Sequence, residues 1–226
     1  MWIKICANTN LEDAQLDASL GADAVGFVFA PSKRRVAAEQ VARITLHLPA
    51  SVERVGVFDS HDAEEIVATA RTASLNGVQL HGGVDHALAH RLRDVLGGEV
   101  AIIQTLHWQV DAGGASAEAV GRHLDEITRE GIVNRVLIDS KMGTATGGTG
   151  VAFDWEKARA TLAEHAGGLK LIVAGGLRPE NVAEAIEQLA PWGVDVASGV
   201  EAEPGRKDPE RLAAFIRNAR QAGSGR

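Results

Sequence analysis

The stretch LIVAGGLRPENVAEAIEQLAPWGVDVASGVEAEPGRKD, residues 171–208, decides the fold. Leu171 to Ala174 is an apolar run without alternation, the pattern of a strand covered on both faces. Gly175 and Gly176 stop it, and Pro179 is expected early in the next helix, where its missing N–H does no harm. Apolar residues recur at helical spacing from Asn181 to Leu189. Val194 to Ala197 reads as the following strand, ending at Ser198-Gly199. Two successive strands therefore end in turns without bulky side chains, on the same edge of a parallel sheet. Backbone N–H groups exposed there, near helix N-termini, suit an anion and above all a phosphate. The loops after strands seven and eight of an eight-stranded β/α barrel are a frequent place for one. A lone Gly-Gly reads as a turn and no more; two such turns one βα unit apart read as an anion cradle.

The same rhythm runs through the rest of the chain. Strands are expected over Trp2–Cys6, Ala24–Phe29, Glu53–Phe58, Gly77–Leu80, Val100–Thr105 and Arg135–Ile138. Helical patterns lie between them: Asn10 (as cap) through Gly21, about Ala37–Leu48, Asp62–Ser74, about Val84–Leu96 and near Ala115–Glu130. Trp155–His165 and Asp208–Ala219 are also helical, the latter capped by its Asp, and residues 223–226 read as a frayed tail. Each crossover is long enough for a helix, so the strands should be parallel. Eight strands alternating with eight helices, and no Gly-x-Gly-x-x-Gly after the first, favour a single closed (β/α)₈ TIM barrel of the α/β class over residues 1–226. The loop from Ser140 to Ala152, with Gly143, Gly147, Gly148 and Gly150, is the longest without elements of its own. It reads as a lid or binding loop rather than a linker.

The composition sets the boundaries of function. The chain has 226 residues, 45% hydrophobic and 23% charged, with a formal net charge of −7. Those values are ordinary for a soluble domain and disfavour nucleic acid or an anionic membrane as partner. An anionic substrate would need a local basic patch, for which Lys33-Arg34-Arg35 is the candidate. Cys6 is the one cysteine, so no intrachain disulfide forms. No signal-peptide pattern or run of transmembrane length is present, and a cytoplasmic location is expected.

Polar residues at the C-terminal ends of barrel strands point into one mouth. Here they are Cys6, Arg34 just after the second strand, His81, Asp139 and Asp195. Taken singly, Cys6 reads as a small buried hydrophobe, Asp139 as a cap and His81 as a satisfied core histidine. Taken together, a thiol and a carboxyl facing one mouth form an acid/base pair of different chemical types. The thiol acts as base only when ionised, which calls for electropositive surroundings, to which Lys4 can contribute. The carboxylic acid donates near neutral pH only if burial or a like charge raises its pKa. No metal-ligand spacing is evident, so the chemistry expected is proton transfer on a phosphorylated substrate.

At these residues the chain resembles the phosphoribosylanthranilate isomerases of tryptophan biosynthesis. The segments carrying the resemblance are Lys4-Ile-Cys6 with Thr9-Asn10, GADAVGFVF at 21–29, SKRRV at 32–36, RVGVF at 54–58 and VQLHG at 78–82. LID at 137–139, GGTG at 147–150, FDW at 153–155, AGGLRPENV at 174–182 and SGVEAEPGRKD at 198–208 complete them. The resemblance implies a (β/α)₈ barrel and an Amadori rearrangement of N-(5-phosphoribosyl)anthranilate without metal or organic cofactor. It implies Cys6 as general base, Asp139 as general acid and Arg34 as partner of the anthranilate carboxylate. His81 and Asp195 would touch substrate, while Gly148, Gly175, Gly176, Ser198 and Gly199 would line the phosphate site. The implied partner is a small phosphoribosyl molecule, and the chain a monomer or homodimer. Ala7 stands where the family has Gly, a methyl expected to crowd the loop beside the base. Ala197 replaces a usual Ser, and the loop before Arg34 is one residue shorter, which leaves Arg35 as the competing anchor. Two other readings are a histidine-pathway or dual-substrate aminoaldose isomerase, whose barrels carry a carboxylate where Cys6 stands, and a non-catalytic phosphosugar-binding barrel.

Overall fold

In the computed structural model, which describes residues 1–109, 114–141 and 155–225, eight parallel strands close into a barrel in chain order. The strands are β1 Trp2–Ile5, β2 Ala24–Val28, β3 Glu53–Phe58, β4 Gly77–Leu80, β5 Ala101–Gln109, β6 Arg135–Lys141, β7 Lys170–Ala174 and β8 Gly193–Val196. β8 pairs with β1, from Trp2 opposite Gly193 to Ile5 opposite Val196, which closes the ring. The helices that follow each strand are α1 Leu11–Ser19, α2 Ala38–Thr45, α3 Ala63–Thr72, α4 His86–Leu96, α5 Gly114–Glu130, α6 Trp155–His165, α7 Val182–Leu189 and α8 Pro209–Gly223. Among the described residues no helix is long and apolar enough to cross a membrane.

Two bodies of apolar side chains follow from the period-two alternation of the strands. Ile3, Ile5, Val25, Phe27, Val136, Ile138 and Val173 point outward and pack with helix residues such as Leu124, Ile186, Leu212 and Phe215. Trp2, Ala24, Val55, Ile103, Leu137, Ile172 and Ala174 fill the interior. At the strands' N-terminal ends Trp2 and Trp192 stack with centroids 5.2 Å apart, and the Arg135 guanidinium lies 5.0 Å from the Trp192 ring. Arg135 also bonds Glu53 at 2.6 and 3.1 Å. That end is plugged, and the mouth lies at the other.

α1, α3, α4 and α8 start at side-chain caps. Asn10 accepts from the Asp13 N–H at 2.9 Å, Asp62 from Glu64 at 2.9 Å, Asp85 from Leu88 at 2.9 Å and Asp208 from Glu210 and Arg211 at 3.0 Å. A cap of this kind stabilises a helix by about 1 kcal/mol.

Four features differ from the sequence reading. Pro179 sits in the turn before α7 rather than inside its first turn. α8 runs to Gly223 with Ser224 as its cap, because Arg220 pins it to the carbonyls of Met1 and Gly21, so the expected tail does not begin at Gly223. The stretch after β8 forms a 3₁₀ turn (Ser198–Val200) and a short hairpin, β9 Glu201–Glu203 with β10 Arg206–Lys207, rather than a simple turn. β5 and β6 run four and three residues further than expected, pairing His107 with Asp139. The cause is continued alternation: Leu106 and Trp108 are buried among the outward-facing apolar residues.

A buried carboxyl makes the barrel's stability depend on pH. Asp17 on α1 has no solvent exposure, and it accepts from Asn8 Nδ2 at 2.8 Å. Burial pushes its pKa up to about 7, against the pull of Lys207 and the Asn8 bond and with a further push from Asp13. The folded chain therefore holds this proton more tightly than the unfolded chain. Its stabilising contribution is complete below about pH 4 and is lost as pH rises through 7, with a slope of at most about 1.4 kcal/mol per pH unit. Asp17→Asn keeps the accepted bond and removes the ionisation. We expect the variant to melt several degrees above the parent at pH 8 and near it at pH 4; equal differences at both pH values would exclude Asp17 as the source.

Candidate active site

A cavity of about 800 Å³ opens at the strands' C-terminal ends, a volume suited to a sugar phosphate carrying an aromatic ring. It is lined by Cys6, Arg34, His81, Asp139 and Asp195, and by Gly175, Gly176, Ser198 and Gly199. Every expected site residue within the described part of the chain thus meets in one place. Gly148, and the loop that was expected to act as a lid from residue 142 onward, lie outside the described residues.

The sulfur's surroundings are built from both ends of the chain. Cys6 follows β1 and is 7% exposed. Lys4, two residues earlier on the same inward face, is fully buried and donates to Asp195 Oδ1 at 2.8 Å. Burial works against the Lys4 ammonium, but Asp195 and the Cys6 sulfur outweigh it and hold the proton on. At Cys6 the balance goes the other way. Burial pushes the thiol above its ordinary value; Lys4 and Lys207 pull it down, and Asp195 adds to the push. Lys207 reaches in from β10 and donates to the Cys6 carbonyl at 2.5 Å. Gly26 on β2 leaves the room, since a Cβ there would stand 2.7 Å from Cys6 Sγ and 3.0 Å from Lys4 Cε.

Ala7 has φ +66°, in the left-handed region. The Gly that the resemblance implies at this position is therefore accounted for by backbone conformation, about 1–2 kcal/mol for a residue with a Cβ, rather than by crowding.

Asp139 is 7% exposed, on the inward face of β6. Its Oδ2 lies 4.0 Å from Nδ1 of His107 on β5. His107 Nε2 lies 3.1 Å from the His81 carbonyl. A carbonyl only accepts, so Nε2 carries a hydrogen, and in the neutral ring the lone pair is on Nδ1.

The two glycine turns pack into one cradle. Gly175 and Gly176 have φ +83° and +66°, conformations that favour glycine. Asn181 holds this turn in shape, donating to the Gly176 carbonyl at 3.0 Å and accepting from the Arg178 N–H at 2.9 Å. Gly175 lies so close to Ser140 of β6 that a side chain has no room, and a Cβ on Gly199 would overlap the Leu177 carbonyl. The turn after β7 and the 3₁₀ turn after β8 thus touch backbone to backbone, with Ser198 beside them on the cavity wall.

Arg34 rather than the exposed Arg35 faces the cavity, with Lys33 beside it. Its Nε bonds Glu201 Oε1 and Oε2 at 2.9 and 3.0 Å, and Nη2 bonds Oε2 at 2.6 Å. Its other edge, Nη1 with the second Nη2 hydrogen, has no partner among the described residues and matches a carboxylate. Glu201 is 6% exposed and also accepts from the Gly205 N–H at 3.1 Å. Glu201, Lys207 and His107 were not singled out from the sequence. The first two stand in the hairpin, where a charge run reads as a solvated surface; His107 lay beyond the expected end of its strand.

The chain is like known proteins over nearly its full length. The family model described as N-(5'phosphoribosyl)anthranilate (PRA) isomerase matches residues 3–218. The N-(5'-phosphoribosyl)anthranilate isomerase of Rubrobacter xylanophilus is 39% identical over 219 residues, covering 96% of this chain and 98% of the relative. The crystal structure of the Thermotoga maritima enzyme superposes with a TM-score of 0.83 at 36% identity, covering 98% and 99% of the two chains. A crystal structure of such an isomerase in complex with reduced 1-(o-carboxyphenylamino)-1-deoxyribulose 5-phosphate superposes at 0.79 with 35% identity, again over 98% and 99%. With the barrel, the thiol and carboxyl in one mouth, and this likeness from end to end, the chain belongs to the N-(5'-phosphoribosyl)anthranilate isomerase family.

Proposed function

We propose that Cys6 is the general base and Asp139 the general acid of the family's reaction in this chain. That reaction is the Amadori rearrangement of N-(5-phosphoribosyl)anthranilate to 1-(2-carboxyphenylamino)-1-deoxyribulose 5-phosphate, a step of tryptophan biosynthesis. The observation that carries the assignment is the opening of the Cys6 thiol and the Asp139 carboxyl into one cavity that also holds the glycine cradle. Asp139 gives its proton to the furanose ring oxygen; the C1′–O bond breaks, and the anilino lone pair forms the C1′ iminium. The cation acidifies the C2′ hydrogen. Cys6 thiolate takes that hydrogen as a proton, and the C–H electrons form the enolamine, which tautomerises to the ketone. Asp139 ends as carboxylate and Cys6 as thiol.

Phosphate in the Gly175-Gly176 and Ser198-Gly199 cradle and the anthranilate carboxylate on Arg34 would fix the two ends of the substrate. Asp195, tied to Lys4, and His81 complete the wall around the sugar. Residues 1–226 act as one domain on this reading, in the cytoplasm. The thiol at position 6 speaks against the carboxylate-bearing histidine-pathway barrels.

The experiment is loss of substrate fluorescence on adding the chain, with Arg34→Ala beside it. Arg34 uses one edge for Glu201 and offers the other to substrate. The variant should raise KM by about 10- to 100-fold, the weight of a charge-assisted bidentate contact, and should also melt lower, because Glu201 is left buried without its guanidinium partner. An unchanged KM would place the carboxylate elsewhere. Absence of turnover in the parent chain alongside tight phosphosugar binding would favour the non-catalytic barrel.

A further inference from the structure

The cavity holds a histidine that the reaction as derived does not use. His107 faces Asp139 across the β5–β6 pair, and its ring meets that of His81 edge-on, with centroids 4.7 Å apart and planes at 80°. One ring nitrogen from each histidine and one Asp139 oxygen lie within 4.8 Å of one another, making three potential ligand atoms on three neighbouring strand ends. The hydrogen bond from His107 Nε2 to the His81 carbonyl matters here. Metal-binding histidines ordinarily donate their other ring N–H to a carbonyl or carboxylate, which fixes the tautomer and aims the lone pair. His107 is held that way, with Nδ1 toward Asp139.

We propose that His81, His107 and Asp139 form a binding site for a divalent transition-metal cation of the zinc class, and that a bound cation stops turnover. Two imidazoles and a carboxylate suit borderline cations such as Zn²⁺ or Co²⁺, whereas hard Mg²⁺ and Ca²⁺ require oxygen ligands. Ligand atoms 2.0–2.2 Å from a common ion sit about 3.5 Å apart, so the side chains close in by about an ångström on loading. The site lies inside the cavity, so cation and substrate exclude one another. Inhibition rests on Asp139 being the acid, because a metal-bound carboxylate cannot deliver a proton to the ring oxygen; binding itself does not rest on that reading.

The test uses the full chain, freed of metal with a chelator and dialysed, and titrated with Zn²⁺ by calorimetry and in the turnover assay. One equivalent should bind, and turnover should fall in step, with less effect at higher substrate; Mg²⁺ at the same concentration should do neither. His107→Ala, or His107→Gln should the first fold poorly, should need at least about 10-fold more Zn²⁺ for binding and for inhibition relative to its own metal-free rate. Cys6→Ala should bind Zn²⁺ as the parent does. Equal Zn²⁺ affinity in the parent and both His107 variants would overturn the proposal and place any binding on surface pairs such as His61–Asp85, His90–Glu130 and His165–Asp125. Loss of binding in Cys6→Ala would overturn it in favour of a thiolate site. If metal-free turnover is absent, the calorimetric comparison still decides the site; if turnover is present and binding is not, the metal proposal alone falls.

Discussion

Cys6→Ala should lower turnover by about 10²- to 10⁴-fold or more, the usual weight of a general base, with the barrel intact and phosphosugar binding retained. Cys6→Ser should do little better, because a hydroxyl in the same surroundings is far harder to ionise than a thiol. The environment explains both the strength of the effect and its pH dependence. Burial drives Cys6 toward the thiol, and the two lysines, Lys4 and Lys207, only partly offset it. The resting site therefore keeps its proton on sulfur, while the reaction needs sulfur ionised and the carboxyl protonated. On the reading that Asp139 rests as a carboxylate, those two arrangements contain the same number of protons. The competent form is a tautomer of the resting one, reached by moving a proton from Cys6 to Asp139. Turnover against pH should then trace a bell, lost at low pH when sulfur and carboxyl are both protonated and at high pH when both are ionised. The raised Cys6 value sets the alkaline limb. Near-parental turnover in Cys6→Ala, or a profile that keeps rising beyond the thiol's titration, would remove sulfur from the mechanism.

How much of this was legible in the chain depends on the kind of signal. The barrel was, because most strands are apolar runs closed by a turn, and several helices start at a capping Asp or Asn that the structure uses, as at Asn10, Asp62 and Asp208. The mouth residues were legible because strand ends in a parallel barrel converge. Two things were not. β5 carries no turn residue after Thr105, so its true end, and with it His107, needed the pairing with β6 to be seen. Glu201 and Lys207 stand in a polar segment after the Ser198-Gly199 turn, EAEPGRKD, whose composition gives no sign of burial. They become buried because the hairpin folds back under the β1 loop, where Thr9 donates to the Gly205 carbonyl at 2.7 Å. A tertiary contact between residues nearly two hundred positions apart leaves no local pattern in sequence. Ala7 belongs to a third class: the residue stands out in the sequence, but its meaning, a backbone in the left-handed region, is visible only in the dihedral angle.

Asp139→Asn should also reduce turnover by about 10²- to 10⁴-fold. The carboxamide matches the carboxyl in shape and can hydrogen-bond to the ring oxygen, but it cannot deliver a proton there, so ring opening must proceed without acid. A structural role predicts a different result: a lower melting temperature and weakened phosphosugar binding, neither of which follows from losing one transferable proton. The variant should keep both near parental values while turnover falls. The double variant Cys6→Ala/Asp139→Asn separates the remaining possibilities. If one proton is shared between sulfur and carboxyl, the two groups act as a unit, and removing both should cost little more than the worse of the two single changes. Losses that instead multiply, so that the double variant falls by the product of the two factors, would mean that each group contributes to a separate step. The tautomeric resting state would then be wrong even with both residues correctly assigned.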